Sequence, residues 1–288
     1  MSRDAVRGGP GLLRRLDASS RWGLAIVLLI VVLAVSAGPL SPDDPSAVGG
    51  AETHLRAPSF RHPLGTDVLG RDVLSRLLHG GRASLIVGWL SVLLAVVLGT
   101  SIGLAAGIGP AWLDCALMAA TDVFLAFPRI FLILLLVAVA TPSLVLVTVV
   151  IGITGWMSVA RLVRAEALAL RERDFVLAAR GLELSSVRLA WRHVLPHVLP
   201  LVLVAATLRL GSAVLLESFL SYLGLGAQEP LISWGAMIEH GQGHLLDAWW
   251  LTAFPGLAIT LMVVSYNLLG DGIRDLLDPR GGVRRRGR

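Results

Sequence analysis

Residues 83–107 read ASLIVGWLSVLLAVVLGTSIGLAAG and carry no charged side chain. Because a helix needs about 20 apolar residues to cross the hydrocarbon core of a bilayer, this stretch predicts a membrane-spanning helix. Small residues recur along it at every fourth position: Ser91, Ala95, Gly99, Gly103 and Gly107. Such a row lets a second helix approach closely, and we expect that helix to come from the same chain rather than from another subunit.

Five further stretches meet the same length criterion: 22–40, 117–140, 143–160, 198–225 and 248–269. Asp122, Pro128 and Arg129 interrupt the stretch 117–140, so its helix must extend back through Asp122 to be long enough. Only 16% of the 288 residues are charged, against about 25% in soluble domains. This composition excludes an ordinary soluble enzyme, a disordered protein and a nucleic-acid-binding domain. We therefore predict an all-α integral membrane protein with six transmembrane helices.

The arginines predict the orientation of these spans. All 25 basic residues are arginine, and basic residues near membrane spans favour the cytoplasmic side. Most of them fall in the tail 1–21, the loop 161–197 and the tail 270–288. We therefore expect both termini in the cytoplasm, contact with membrane lipid and none with nucleic acid. The first span also resembles a signal peptide, because arginines precede it and it ends in Val35-Ser-Ala-Gly38, but we favour an uncleaved anchor.

The predicted external loop 41–82 contains a second helical pattern. Thr66 or Asp67 can cap a helix there. One side of that helix would be apolar and formed by Leu69, Val73, Leu74, Leu77 and Leu78. We expect an amphipathic helix that lies at the outer membrane interface, and the alternative is a binding module for an external partner.

Three ionisable residues fall inside the predicted spans. They are Asp122 in the third span and Arg209 and Glu217 in the fifth. Ionisable side chains are costly at this depth and usually have a function, so these residues either line a hydrated pathway or pair with another helix. No chain of carboxylates and histidines suggests a proton relay, which argues against an ion-coupled transporter.

The predicted cytoplasmic loop 161–197 carries the pattern of two short helices. Asp174 can cap the first, whose apolar side includes Phe175 and Leu182. Ser185 can cap the second, and Pro196 and Pro200 mark the entry to the fifth span. The apolar side of the second helix is Val187, Ala190, Trp191 and Val194, and both helices carry arginines: Arg180, Arg188 and Arg192. A loop of this kind has little to pack against within six membrane helices, so we expect it to dock a soluble partner.

The same loop resembles the EAA loop of binding-protein-dependent ABC importer permeases, E-A-A-x3-G-x9-[I]-x-L-P. Leu177-Ala178-Ala179 and Leu195-Pro196 follow its spacing. Leu177 stands where the family has glutamate, and Glu183 stands where it has glycine, with Gly181 close by. These departures leave open whether the bend of the loop moves towards Gly181 or whether Glu183 adopts a strained backbone.

Other segments extend the resemblance along most of the chain. They include His62-Pro-Leu-Gly-Thr-Asp-Val-Leu-Gly-Arg-Asp72, Leu220-Ser-Tyr-Leu-Gly-Leu-Gly226, Phe254-Pro-Gly-Leu-Ala258 and Tyr266-Asn-Leu-Leu-Gly-Asp-Gly-Ile-Arg274. These segments are similar to the second, C-type permease of the dipeptide, oligopeptide and nickel class.

The resemblance implies the type I permease fold of ABC importers and a role in peptide import across the cytoplasmic membrane of a prokaryote, with nickel or another small solute as the alternative. It implies a second permease subunit, two ABC ATPase subunits and an extracytoplasmic substrate-binding protein as partners. It also implies that part of the loop couples to the ATPase, through Phe175, Leu177, Ala178, Ala179, Arg180, Leu182, Glu183, Arg188, Leu195 and Pro196.

No cofactor or metal is expected on this chain. It lacks the G-x-x-x-x-G-K-[ST] phosphate loop and any lysine, so ATP and Mg²⁺ are expected on the partner ATPase subunits. The histidine pairs His193/His197 and His240/His244 are more typical of structural roles than of a metal site. Two other classes stay open as alternatives: an intramembrane enzyme, for which no nucleophile and base are placed together, and a membrane sensor or scaffold.

Overall fold

The computed structural model describes residues 17–182 and 184–277, without the side chains of Ala51 and Arg180. These residues are almost entirely helical. The principal helices are α1 (Ala18–Val35), α2 (Val73–Ile108), α3 (Ala111–Ala126), α4 (Arg129–Ala138), α5 (Leu144–Ile153), α6 (Trp156–Arg171), α7 (Asp174–Gly181), α8 (Ser186–Tyr222), α9 (Trp234–Gly241) and α10 (Trp250–Leu277). Glu183, most of the N-terminal tail and the arginine-rich C-terminus lie outside the described residues.

The described helices supply five of the predicted membrane spans, and a bent pair of helices makes six if the pair counts as one span. Four are α1, α2, α8 and α10, and α5 and α6 together form a fifth, Leu144–Arg171. The bent pair is α3 and α4, whose axes meet at 83°. The expectation of one continuous helix through Asp122 is therefore wrong. Phe127 is extended because it precedes Pro128, and this ends α3 before α4 begins.

The row of small residues on α2 packs against α6, so the prediction of packing within the chain is confirmed. All five residues of the row are buried. A Cβ atom at Gly99 would lie 2.5 Å from the Cβ of Val159, and one at Gly103 would lie 2.7 Å from the Cβ of Val163. A larger side chain at either position would push the two helices apart.

The predicted amphipathic helix at the membrane interface is not present. Asp72 caps α2 by accepting a hydrogen bond from the amide of Ser75 (2.7 Å), so the apolar pattern from Val73 onwards is the first part of the second span. Thr66 and Asp67 lie in a turn that precedes this cap. Gly65 in that turn has φ of 81°, a conformation that favours glycine.

Much of the predicted cytoplasmic loop 161–197 is helical. Helix α6 continues to Arg171, and α8 begins at Ser186, so the connection between them reduces to residues 172–185, which contain α7. Ser185 caps α8 as predicted, but Asp174 is the first residue of α7 rather than its cap. The second predicted short helix is the beginning of α8, and Pro196 follows a π-helical turn at Ala190–Val194.

The π-helical turn at Ala190–Val194 widens the helix just before Pro196, which relieves the clash that a proline ring makes with the preceding residues of an α-helix.

The contacts between spans divide the connections between two ends of the bundle: α1 runs antiparallel to α10, and α2 runs parallel to α6. Gly23 of α1 packs on Leu268 of α10, and Gly107 of α2 packs on Ala167 of α6. Residues 17 and 277 therefore share one end with α7, which we call the α7 end. The segment 41–72 and α9 lie at the opposite end, the α9 end, where Trp250 donates a hydrogen bond to the carbonyl of Thr66 (3.2 Å).

Candidate functional site

Helix α7 has one face buried against the bundle and one face exposed. Val176 and Ala179 pack into a cluster with residues of α2, α6 and α8. Phe175, Ala178 and Leu182 lie on the opposite, exposed side. Ala179, with 5% of its surface exposed, is therefore part of this chain's own packing. The expected coupling role of Ala179 stays a prediction, and its burial indicates that it would act through the packing of α7 rather than by direct contact with a partner.

The first turns of α8 extend this exposed surface. Val187 and Trp191 are exposed beside the arginines Arg188 and Arg192. We call the exposed apolar set Phe175, Ala178, Leu182, Val187 and Trp191 the α7 surface. Phe175 is held in place by stacking on His197 of α8, with 4.7 Å between ring centroids.

The remaining predicted coupling residues divide between exposed and partly buried positions. Leu177 and Pro196 are exposed, and Leu195 is partly buried against the cluster that holds α7. Helix α7 ends at Gly181. The side chain of Arg180 and the whole of Glu183 lie outside the described part of the chain, so the choice between the two bends of the EAA loop stays a prediction.

A second polar surface lies on the membrane spans themselves. Asp122 of α3 accepts a hydrogen bond from Arg161 of α6 at 2.5 Å, and both side chains are more than half exposed. Nearby, Arg209 of α8 donates a hydrogen bond to Ser158 of α6. Exposed charges at bilayer depth are costly next to lipid, so this polar face, formed by Asp122, Ser158, Arg161 and Arg209, is suited to water or another protein.

Arg129 extends the polar face and was missed as a candidate. The sequence showed it only as an interruption of the third span. In the structure it begins α4, donates a hydrogen bond to the carbonyl of Ile151 (3.1 Å) and lines a cavity together with Arg209. Its depth within a predicted span is the signal that could have identified it.

Glu217 lies apart from this face, although the sequence grouped it with Asp122 and Arg209. Its carboxylate is fully buried and accepts hydrogen bonds from Ser84 of α2 and Ser221 of α8, each at 2.8 Å. Ser218 is a third neighbour at 3.4 Å. These hydroxyl groups compensate the cost of burying the carboxylate, and they join α2 to α8 near the α9 end.

An ion-pair network closes the α9 end, and no local sequence pattern predicts it. Arg71 is buried between Asp67, at 2.7 Å, and Glu229, at 2.8 Å. Arg76 adds a longer contact to Glu229 at 3.5 Å. Burial by itself raises the pKa of Glu229, but the hydrogen bonds and charges of Arg71 and Arg76 outweigh it and hold that pKa below its ordinary value. The network ties the segment before α2 to the segment after α8.

Among the described residues, one group has ligand-type side chains within 4.8 Å of one another: Asp43, His62 and Asp72. The carboxylate of Asp72 is already engaged, because it caps α2 and contacts the Nδ1 atom of His62 at 3.1 Å. The group therefore has a sufficient structural explanation. Neither predicted histidine pair belongs to it.

Comparison with known proteins identifies the family. The family described as "Binding-protein-dependent transport system inner membrane component" matches residues 80–282. The "Dipeptide transport system permease protein DppC" of Alkalihalophilus pseudofirmus is 38% identical over 90% of this chain and 84% of its own length. The "Probable D,D-dipeptide transport system permease protein DdpC" of Escherichia coli is 39% identical over 90% of this chain and 87% of its own length.

A third relative is the "Di/tripeptide transport system permease protein DppC" of Pseudomonas aeruginosa, 39% identical over 90% of this chain and 87% of its own length. Among solved structures, an inward-facing form of the MetNI methionine ABC transporter matches the fold with a TM-score of 0.56 at 18% identity. The match covers 70% of this chain and 97% of that one. The chain therefore belongs to the binding-protein-dependent transport system inner membrane components, the permease subunits of ABC importers.

Proposed function

We propose that this chain is the C-type permease of an ATP-driven peptide importer and pairs with a different permease subunit. The observation that carries the substrate assignment is the identity of 38% to 39% with permeases named for dipeptide and di/tripeptide transport, over 90% of this chain. The chain is a transport subunit and not an enzyme, and ATP with Mg²⁺ belongs to the partner ATPase subunits. Nickel import is the second candidate.

The α7 surface is the proposed contact for the ATPase subunits. Leu182 is 75% exposed and Trp191 is 56% exposed, and Arg188 and Arg192 beside them can orient a partner with complementary charge. Permeases of this family act with ATPase subunits, a substrate-binding protein and a second permease.

Closure of the ATPase subunits would push on α7. The buried side of α7, at Val176 and Ala179, would pass this movement to α2, α6 and α8.

The α7 end is proposed to face the cytoplasm of a prokaryotic cell, and the α9 end would then face the substrate-binding protein. The arginines support this orientation, because the loop 161–197 and both tails carry most of them. The polar face would meet the second permease subunit and enclose the translocation pathway between the two chains.

The substrate is tested by uptake in cells with and without this gene. Labelled dipeptide, a longer peptide and Ni²⁺ are compared at matched concentrations. We expect deletion to abolish dipeptide uptake and to leave Ni²⁺ uptake unchanged. Loss of Ni²⁺ uptake with unchanged peptide uptake would establish the second candidate instead.

The coupling surface is tested with Leu182→Asp, and Leu182→Met serves as the matched control because it keeps the surface apolar. We expect the Asp variant to lower peptide uptake by about ten-fold, equivalent to about 1.4 kcal/mol, without reducing the amount of inserted protein. Ala179→Asp should act differently and reduce the amount of folded protein, because it buries a charge. Wild-type uptake in Leu182→Asp would contradict the assignment of this surface.

A further inference from the structure

Two arginines share one cavity in the middle of the membrane spans. Arg129, at the start of α4, and Arg209 of α8 both line a cavity of about 90 Å³ beside the polar face. Phe127 and Met157 form part of its apolar wall. A cavity of this volume is large enough for water molecules or for a small polar group.

The guanidinium groups in this cavity are incompletely satisfied. Arg129 donates one hydrogen bond to the carbonyl of Ile151, and its Nε atom is buried without a hydrogen-bond partner. The hydrogen bond of Arg209 to Ser158 is also to an uncharged group. Both arginines therefore retain donors for a further acceptor.

The charges in this cavity are also uncompensated. Four other arginines form ion pairs with carboxylates, namely Arg71, Arg76, Arg161 and Arg164. Within the part of the chain that the structure describes, no carboxylate lies within ion-pair distance of Arg129 or Arg209. The two positive charges are close enough to repel each other. An unpaired charge is expensive at bilayer depth, and two that face one cavity favour an anionic ligand.

We propose that Arg129 and Arg209 form a binding site for the carboxylate of a peptide as it passes through the importer. The inference rests on the proposed peptide function. A guanidinium group presents two parallel N–H donors that match a carboxylate. In this cavity each arginine has donors that are not used by its one hydrogen bond, and neither positive charge is paired with a carboxylate of the described residues. The cavity borders the exposed polar face, which gives a peptide in the pathway access to it. Such a site would recognise the terminal carboxylate, which every peptide with a free C-terminus carries.

The test uses the complete importer in proteoliposomes, with its partner permease, ATPase subunits and substrate-binding protein. Arg129→Gln and Arg209→Gln each remove one charge, and Arg209→Lys retains it. Arg274→Gln, in the exposed last turn of α10, is the matched control. Uptake is measured for a dipeptide and for its C-terminal amide, at concentrations that load the binding protein to the same degree.

We expect the Gln variants to take up the free dipeptide about ten-fold more slowly, with a smaller loss in Arg209→Lys and none in Arg274→Gln. Uptake of the amide should change by less than about two-fold, because the amide has no negative charge to lose contact with. ATPase activity stimulated by the loaded binding protein should persist in every variant, since the α7 surface is intact.

Equal slowing of the dipeptide and its amide would overturn the inference, and so would unchanged dipeptide uptake in both Gln variants. Loss of the second permease from the purified Gln variants would also overturn it, because the arginines would then pair with a carboxylate of that subunit. If the wild-type importer transports Ni²⁺ and no peptide, it is the proposed function that fails.

Discussion

At the scale of single residues, ion pairs at the α9 end connect segments that are far apart in the sequence. Arg71 is buried, and it contacts carboxylates that precede α2 and follow α8. Removing either carboxylate would leave the guanidinium group of Arg71 buried with fewer hydrogen-bond acceptors. Asp67 also accepts hydrogen bonds from the backbone of its own turn, at Leu69 and Arg71, so one carboxylate organises both the turn and the ion pairs.

This network predicts a pH-dependent stability. Because the pKa of Glu229 is lower in the folded protein than its ordinary value of 4.5, its ion pairs stabilise the fold above pH 4.5. That contribution is lost as the pH falls through the folded pKa. Since Glu229 is 53% exposed, solvent screening limits the effect to about 1 kcal/mol or less.

The measurement compares thermal unfolding of the wild type and Glu229→Gln in detergent between pH 7 and pH 3.5, a range that starts above the ordinary pKa of 4.5 and extends below it. We expect the wild type to be more stable at pH 7 and the difference to shrink at the acidic end. A difference that is constant with pH would show that the ion pairs do not stabilise the folded state.

At the scale of helices, the contact between α2 and α6 depends on the absence of side chains. Gly103 faces Val163 and the carbonyl of Ala160, and a Cβ atom would lie 2.6 Å from that carbonyl oxygen. Backbone cannot move aside as a flexible side chain can. Interfaces of small residues hold membrane helices together by close van der Waals packing, because lipid provides no hydrophobic drive for association.

Gly103→Val should therefore destabilise the bundle by about 1–3 kcal/mol, the usual range for overpacking. Gly256→Val in α10 is the matched control, because no atom lies within 4 Å of a Cβ atom added there. Both variants are assayed by thermal unfolding in detergent and by the yield of folded protein. If the two variants prove equally stable, the close approach of α2 and α6 does not require glycine.

At the scale of the whole molecule, the contacts between spans fix which segments share an end, and the orientation in the membrane decides which end is cytoplasmic. Residues 50 and 181 lie at opposite ends of the bundle. Both are glycines with no atom within 4 Å of an added Cβ atom, so each accepts a cysteine without strain. The chain has a single natural cysteine, Cys115, and Cys115→Ser supplies a clean background.

Gly50→Cys and Gly181→Cys in this background test the proposed orientation. A membrane-impermeant maleimide should label Gly50→Cys in intact cells and Gly181→Cys only after permeabilisation. A membrane-permeant maleimide labels both and controls for reactivity. The reverse pattern would place the α7 end outside the cell and would exclude docking of an intracellular ATPase on the α7 surface.

Much of the architecture was readable from the sequence because its determinants are local. Apolar runs long enough to span a bilayer predicted the five long apolar spans and the bent pair of α3 and α4, and the spacing of Gly99, Gly103 and their neighbours predicted the packing face of α2. The serine cap of α8 at Ser185 is equally local. The pattern after Val73 was interpreted wrongly as a separate helix, because a short amphipathic helix and the first turns of a longer helix have the same spacing of apolar residues.

The sequence by itself determined that this is a membrane protein, which stretches are apolar enough to span a membrane and which family it resembles, because composition, length and motif spacing are properties of the linear chain. The tertiary structure decided which side chains share a site. It buried Ala179 and Glu217, brought Arg71 to Glu229 and placed Arg129 beside Arg209. Such contacts join residues far apart in the chain, and only the packing of the helices brings them together.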